Sequence, residues 1–224
     1  MTTFIGEYAI DPGMCDELIE LHKNNPKKTP GRIGENKINP SIKASTDSDY
    51  SADENDTIKK YVSMLQSCLD QYGQMYRWAD EGQEKFVIWE KLNIQHYAPG
   101  QGYPQWHYEN SGHEVNVRRH LVFMTFLNTV TDEGYTEFWY QKIRKTPIKG
   151  LTLIWPSAWT HTHHGIPSLT QDKYIATGWW NHLQEEQFGK EPNPDGLPKV
   201  EIENKNKKVW YWQDEAHKYR PHKK

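Results

Sequence analysis

His107 and Glu109 stand two residues apart in YAPGQGYPQWHYEN (residues 97–110), and His161, His163 and His164 crowd into WPSAWTHTHHGIPSLTQDKY (residues 155–174). On an extended strand, residues i and i+2 share a face, so His107 and Glu109 would offer an imidazole nitrogen and a carboxylate oxygen to one ion. A third ligand must come from elsewhere, and the three later histidines are the candidates. Two histidines and one carboxylate on one side of an ion, with the other side open, form the donor set of non-haem Fe(II) oxygenases. Such a set suits iron better than a closed structural zinc site. An HxE pair by itself is common by chance. Here each histidine cluster borders an expected strand, and Lys173 adds a second signal. Alternation in KYIATGWW puts Lys173, Ile175, Thr177 and Trp179 on one face, and a lysine among inward apolar positions calls for an anion. The plain alternative is a Lys173 that faces solvent or pairs with an acid such as Glu185.

Two helices and a set of short strands must position these groups. The 224 residues fit one domain. A hydrophobic fraction of 35% understates the core, because 10 Trp, 13 Tyr and 6 Phe bring large buried surfaces. Asp11-Pro12 reads as an N-cap with proline at the first helical position, ahead of Met14, Leu18, Ile19 and Leu21. Residues 27–51 are rich in Lys, Pro, Gly and Ser and read as a long loop, a candidate lid. Ile58, Tyr61, Val62, Leu65, Cys68, Leu69 and Tyr72 recur at helical spacing up to Gly73. Beyond Glu84 the pattern changes to short apolar runs: KFVIWEKLNIQHY, RRHLVFMTFLNTV, TEFWYQ, KGLTLIWP and KYIATGWW. The expected fold is therefore α+β: helical support over about 1–83, a double-sheet jelly roll or antiparallel barrel over about 84–183, and a polar extension over 184–224.

The composition excludes several classes. A net charge of −3 gives no general reason to expect nucleic acid or an anionic membrane. No window approaches the ~18 apolar residues of a membrane helix, and the start MTTFIGEYAI is unlike a secretory signal. Cys15 and Cys68 suggest neither a disulfide framework nor a zinc knuckle, so a cytoplasmic setting is expected. The last twenty residues carry seven Lys or Arg against two acids, interleaved with Trp210, Tyr211, Trp212 and Tyr219, and those aromatics are expected to pack on the body.

Residues 87–182 resemble the prolyl 4-hydroxylase branch of the 2-oxoglutarate/Fe(II) dioxygenases, with phage-encoded members as the expected nearest relatives. In that branch a Tyr, a Gly-rich turn and a second Tyr precede HxD, as Tyr97, Gly100, Tyr103 and His107-Tyr108-Glu109 do here. The branch also places its second iron histidine four residues before a proline and ten before a basic residue. His163, Pro167 and Lys173 satisfy both intervals, whereas His161 and His164 satisfy neither. RHLVFMTFLNTVTDEGYTEF resembles the strand, turn and strand that lie between the two sites. Three positions depart from the pattern: Glu109 replaces the usual Asp, Phe126 stands where some hydroxylases have a tyrosine, and Tyr135 replaces one glycine of a GG turn.

The resemblance implies that His107, Glu109 and His163 hold Fe(II), and that Lys173, helped by Tyr97, fixes the far carboxylate of 2-oxoglutarate. It also implies O2 as co-substrate, ascorbate as an optional reductant, and hydroxylation of a peptide or small molecule. Tyr103, Trp106, Phe138 and Trp179 would wall the pocket, although plain core packing explains Trp106 and Phe138 equally well. Two other readings compete. One is a non-enzymatic jelly-roll module that binds sugar or protein through its aromatics. The other is a nucleic-acid oxidative demethylase, which the acidic charge and the absence of paired arginines in the distal segment disfavour.

Overall fold

The computed structural model describes residues 2–34, 37–79 and 86–183, together with the backbone of two paired strands, Glu201–Asn204 and Lys207–Trp210. In chain order the body contains β1 (Gly6–Ala9), α1 (Pro12–Lys23), β2 (Thr29–Pro30), β3 (Thr46–Tyr50) and α2 (Asp56–Met75). There follow β4 (Phe86–Val87), β5 (Leu92–Tyr97), β6 (Tyr103–His107), β7 (Arg119–Phe126) and β8 (Thr136–Phe138). β9 (Ile143–Lys145), β10 (Leu151–Pro156), β11 (His163–Gly165) and β12 (Lys173–His182) complete it.

Both helices form where their caps place them. The Asp11 carboxylate accepts from Gly13 N at 3.1 Å and Asn55 Oδ1 from Ile58 N at 3.0 Å, each satisfying an amide that has no partner within its helix. The inward stripe of α2 is Ile58, Tyr61, Val62, Leu65, Cys68, Leu69 and Tyr72, as the spacing predicts. It packs with Met14 and Leu18 of α1 on one face of a larger antiparallel sheet, against Phe123, Ala176 and Trp180. That sheet runs β1-β10-β7-β12-β5-β3-β2, with β4 also paired to β12. Its other face carries Tyr97, Val122, Met124, Phe126, Leu153, Trp155 and Ile175, which share a second core with Phe138 of the smaller sheet, β6-β11-β8-β9. Strand alternation thus separates the two cores, and Lys173, Ile175 and Trp179 point between the sheets. At Gly178 the ring of Phe123 on the neighbouring strand occupies the space of a side chain. A Cβ there would lie 2.5 Å from Phe123 Cζ.

The N-terminal half is not purely helical, since β1, β2 and β3 all join the larger sheet. Within the expected 27–51 loop, β3 has the sequence TDSDY, whose charge hides it from a hydrophobicity reading. Each of its acids has a partner. Asp47 receives Lys43 Nζ and Ser45 Oγ at 2.7 Å, and Asp49 receives Arg32 Nη2 and Asn93 Nδ2 at 2.5 Å. Backbone bonds from Ala44 N to Gly102 O and from Gly31 N to Ser45 O also tie the segment down, at 2.9 Å each. The expected packing of the C-terminal aromatics lies outside the described residues.

Candidate active site

His107 ends β6 and His163 opens β11, and the two are directly paired across the small sheet. Glu109 lies beyond the strand end, so the same-face rule does not bring it in. Its position comes from a turn in which the amides of Glu109 and Asn110 both donate to Ser157 O, at 3.1 and 3.0 Å. One nitrogen from each histidine and one oxygen from Glu109 lie within 4.8 Å of one another. Glu109 Oε1 is 3.6 Å from the Nε2 atoms of both His107 and His163.

The outward nitrogens fix the tautomers. His107 Nδ1 lies 2.8 Å from Gln105 O and His163 Nδ1 lies 2.9 Å from His161 O. A carbonyl oxygen only accepts, so each Nδ1 carries a proton and each Nε2 is the nitrogen turned to the centre. Burial and the nearby His163 push His107 down to about 3, so its imidazole is neutral at physiological pH. Burial alone would raise Glu109, but the polar contacts with the His163 and His107 imidazoles and the charge of Arg119 outweigh it. The carboxyl sits well below its ordinary range. Two imidazole nitrogens and one carboxylate oxygen, converging with second partners already satisfied, fit a divalent transition metal such as Fe(II).

The other oxygen of Glu109 is occupied. Oε2 accepts from Arg119 Nη1 at 3.1 Å and from Trp179 Nε1 at 3.0 Å. Arg119 also meets Glu90 through Nε at 2.8 Å and Nη2 at 2.5 Å, and stacks 3.4 Å over the Trp179 ring. Asn181 Nδ2 donates to Glu90 Oε1 at 2.8 Å. The sequence reading missed Arg119 and Glu90. Plain alternation from Val122 and Met124 would turn Arg119 away from the site, but a register shift at Trp180/Asn181, opposite the start of β7, changes the phase.

Lys173, the first residue of β12, is 5% exposed and pairs across the sheet with Tyr97. Its Nζ donates to Gly134 O at 2.7 Å and lies 5.9 and 5.6 Å from the ring centres of Tyr97 and Phe126. Among the described residues no carboxylate forms an ion pair with it, and Glu185 lies outside them. Burial pushes the ammonium down to about 7. The Tyr97 hydroxyl donates to Gln95 Oε1 at 2.5 Å, and burial, then the charge of Asp47, holds its pKa well above the usual value.

The four expected wall residues separate. Tyr103 stacks on His107 at 3.8 Å between ring centres, and burial, then the charge of Glu109, pushes its hydroxyl up to about 12. Phe138 is fully buried against Trp155 and His163 and backs that ligand. Trp179 is a hydrogen-bond donor to Glu109 as well as a ring in the wall. Trp106 leaves the set. One residue from His107 on β6, its side chain takes the opposite face, where it stacks on His164 at 3.7 Å. His164 itself reaches Glu137 at 3.3 Å, while His161 Nε2 meets Thr3 O at 3.0 Å. Neither points to the triad.

Residues 92–181 match the sequence model of the 2OG-Fe(II) oxygenase superfamily. No curated protein sequence matches. Among solved structures, the chain is similar to a viral collagen prolyl hydroxylase from Paramecium Bursaria Chlorella virus-1, at 19% identity and a TM-score of 0.59, covering 80% of this chain and 97% of that one. A Pseudomonas putida prolyl-4-hydroxylase gives 15%, 0.63, 80% and 92% on the same measures. A Trichoplax adhaerens prolyl hydroxylase, solved with a peptide fragment of hypoxia inducible factor, gives 18%, 0.65, 80% and 84%. At these identities the likeness is one of fold.

Proposed function

We propose that the chain couples oxidative decarboxylation of 2-oxoglutarate to hydroxylation of a peptidyl proline. In this reading the two facing sheets are the double-stranded β-helix of the oxygenases, with a cytoplasmic setting to which the two free, buried cysteines are suited. The observation that carries it is Lys173. A buried ammonium with one carbonyl partner and two aromatic rings is costly unless an anion completes it, and it lies beside the strand of His163, where a Cβ at Gly165 would stand 3.9 Å from Nζ.

His107, Glu109 and His163 would hold Fe(II), which when bound supplies the redox chemistry that converts 2-oxoglutarate and O2 to succinate and CO2 while placing one oxygen in a substrate C–H bond. The residues do the rest. Burial keeps His107 neutral, so its nitrogen is available without loss of a proton. Lys173 holds the distal carboxylate by a charge-assisted bond and thereby orients the co-substrate. Phe138, Trp155 and the stacked Tyr103 keep water from the two imidazoles. The prolyl hydroxylases of similar fold support a peptide over a free small molecule, as their names concern proline residues and one is bound to a peptide.

Proline-containing peptides and free small molecules, screened for succinate release and for gain of one oxygen by mass, test the proposal. Peptide hydroxylation at proline is the expected result. Turnover only with a small molecule would exclude the peptidyl assignment.

A further inference from the structure

A glutamate has one more methylene than an aspartate and a carboxylate that swings more freely. With both oxygens free it can occupy two positions on an ion. A 2-oxoglutarate oxygenase needs its carboxylate to take one position only, because the keto acid and O2 require the remaining three of an octahedron. The surroundings of Glu109 meet that need. Oε2 is held by two donors, Arg119 Nη1 and Trp179 Nε1, while Oε1 faces both imidazoles.

Arg119 is itself fixed on three sides: by both oxygens of Glu90, by the Trp179 ring beneath its plane, and by Glu109 O, which accepts from Nη1 at 3.3 Å. A planar guanidinium can make these contacts together and an ammonium cannot. We infer that Arg119 is a positioning residue that confines Glu109 to one-oxygen coordination, with Glu90 and Trp179 completing the clamp. The inference rests on the assignment of the triad to Fe(II). It explains how the longer arm of a glutamate serves at this position: the extra methylene is taken up by a guanidinium that holds the spare oxygen away from the centre.

The test uses the full-length protein, loaded anaerobically with Fe(II), in wild-type form and as Arg119→Met, Arg119→Lys, Trp179→Phe and Arg119→Met/Glu109→Asp. Three quantities are measured: Fe(II) affinity by chelator competition, 2-oxoglutarate affinity by titration, and thermal unfolding. Arg119→Met should retain Fe(II) but bind 2-oxoglutarate about tenfold or more weakly, the scale of losing an outer partner of a metal ligand. Arg119→Lys should fall between it and wild type. Adding Glu109→Asp should restore most of the lost affinity, since the shorter arm reaches with one oxygen. A general folding defect would show no such rescue. Trp179→Phe keeps a stacked ring and removes one donor, and should weaken 2-oxoglutarate by about threefold, as expected for one hydrogen bond.

Wild-type 2-oxoglutarate affinity in Arg119→Met, or a loss that Glu109→Asp does not relieve, would overturn the inference. If Arg119→Met does not fold, Trp179→Phe decides, and wild-type affinity there overturns it. Failure of the Fe(II)-loaded wild type to bind 2-oxoglutarate would instead remove the triad assignment beneath it.

Discussion

Replacing Lys173 by methionine should stabilise the empty protein and weaken its hold on 2-oxoglutarate, two opposite effects from one side chain. Burial lowers the lysine from 10.5 to about 7, which at about 1.4 kcal/mol per tenfold disfavours its charged form by about 5 kcal/mol. Methionine removes that cost and fills nearly the same volume. It also leaves Gly134 O without its donor, a loss of about 1–3 kcal/mol. The net gain should be about 2–4 kcal/mol at pH 7 or below.

The sign with pH follows from linkage. The folded pKa lies below the unfolded one, so between about 7 and 10.5 the unfolded chain binds more protons and stability of the wild type rises with pH. Lys173→Met should lack this slope. Urea unfolding of the metal-free proteins at pH 7 and 9.5 measures both effects. A second consequence concerns the ligand: at pH 8 the lysine is mostly neutral, and it must gain a proton to hold a carboxylate. Calorimetry in buffers of different ionisation enthalpy should therefore show uptake of nearly one proton when the wild type binds 2-oxoglutarate, with binding weakened by about 2–5 kcal/mol in Lys173→Met. A variant less stable than wild type at pH 7, or binding without proton uptake, would refute this account of Lys173.

Three further outcomes are expected. His161→Ala should lower the melting temperature by loosening the Thr3 contact yet leave Fe(II) binding intact, and loss of Fe(II) in that variant would put His161 in the site. Gly178→Ala should cost about 1–3 kcal/mol in urea unfolding, because the new methyl meets the Phe123 ring, and Phe123→Leu in the same chain should recover part of it; no loss would show that the ring moves freely. Burial, then Lys28, lowers His22 to about 4, below its unfolded value of 6.5, so stability should fall as pH drops from about 6.5 to 4. His22→Asn should flatten that part of the acid profile, and an unchanged profile would exclude His22 as its source.

Much of the site is legible in the sequence because local rules place it. The spacing from His163 to Pro167 and Lys173 survives into the structure, where His163 faces His107 and His164 turns away on the opposite face. Strand alternation suffices to put Lys173 and Trp179 between the sheets. Glu109 reaches the same place for a different reason, a turn anchored on Ser157, and no periodicity encodes that. Trp106 has the size for a pocket wall, but its odd step from His107 places it outside, on His164. β3 is hidden because its inward residues are aspartates, stabilised by Lys43, Arg32 and Asn93 from other elements. Arg119 is hidden by the register shift opposite it. The turn at Glu109, the Asn93 partner of β3 and the register shift depend on residues distant in sequence, which a reading of local pattern does not reach.

The central claim is that His107, Glu109 and His163 form one Fe(II) site that accepts 2-oxoglutarate. Anaerobic titration of the purified protein with Fe(II) and then 2-oxoglutarate, followed by absorption spectroscopy, tests it most directly. The account predicts one Fe(II) per chain and a weak metal-to-ligand band that appears only when 2-oxoglutarate is added, and that is lost in His107→Ala, Glu109→Ala and His163→Ala. A wild type without the band, or a band unchanged in any of the three variants, would contradict it.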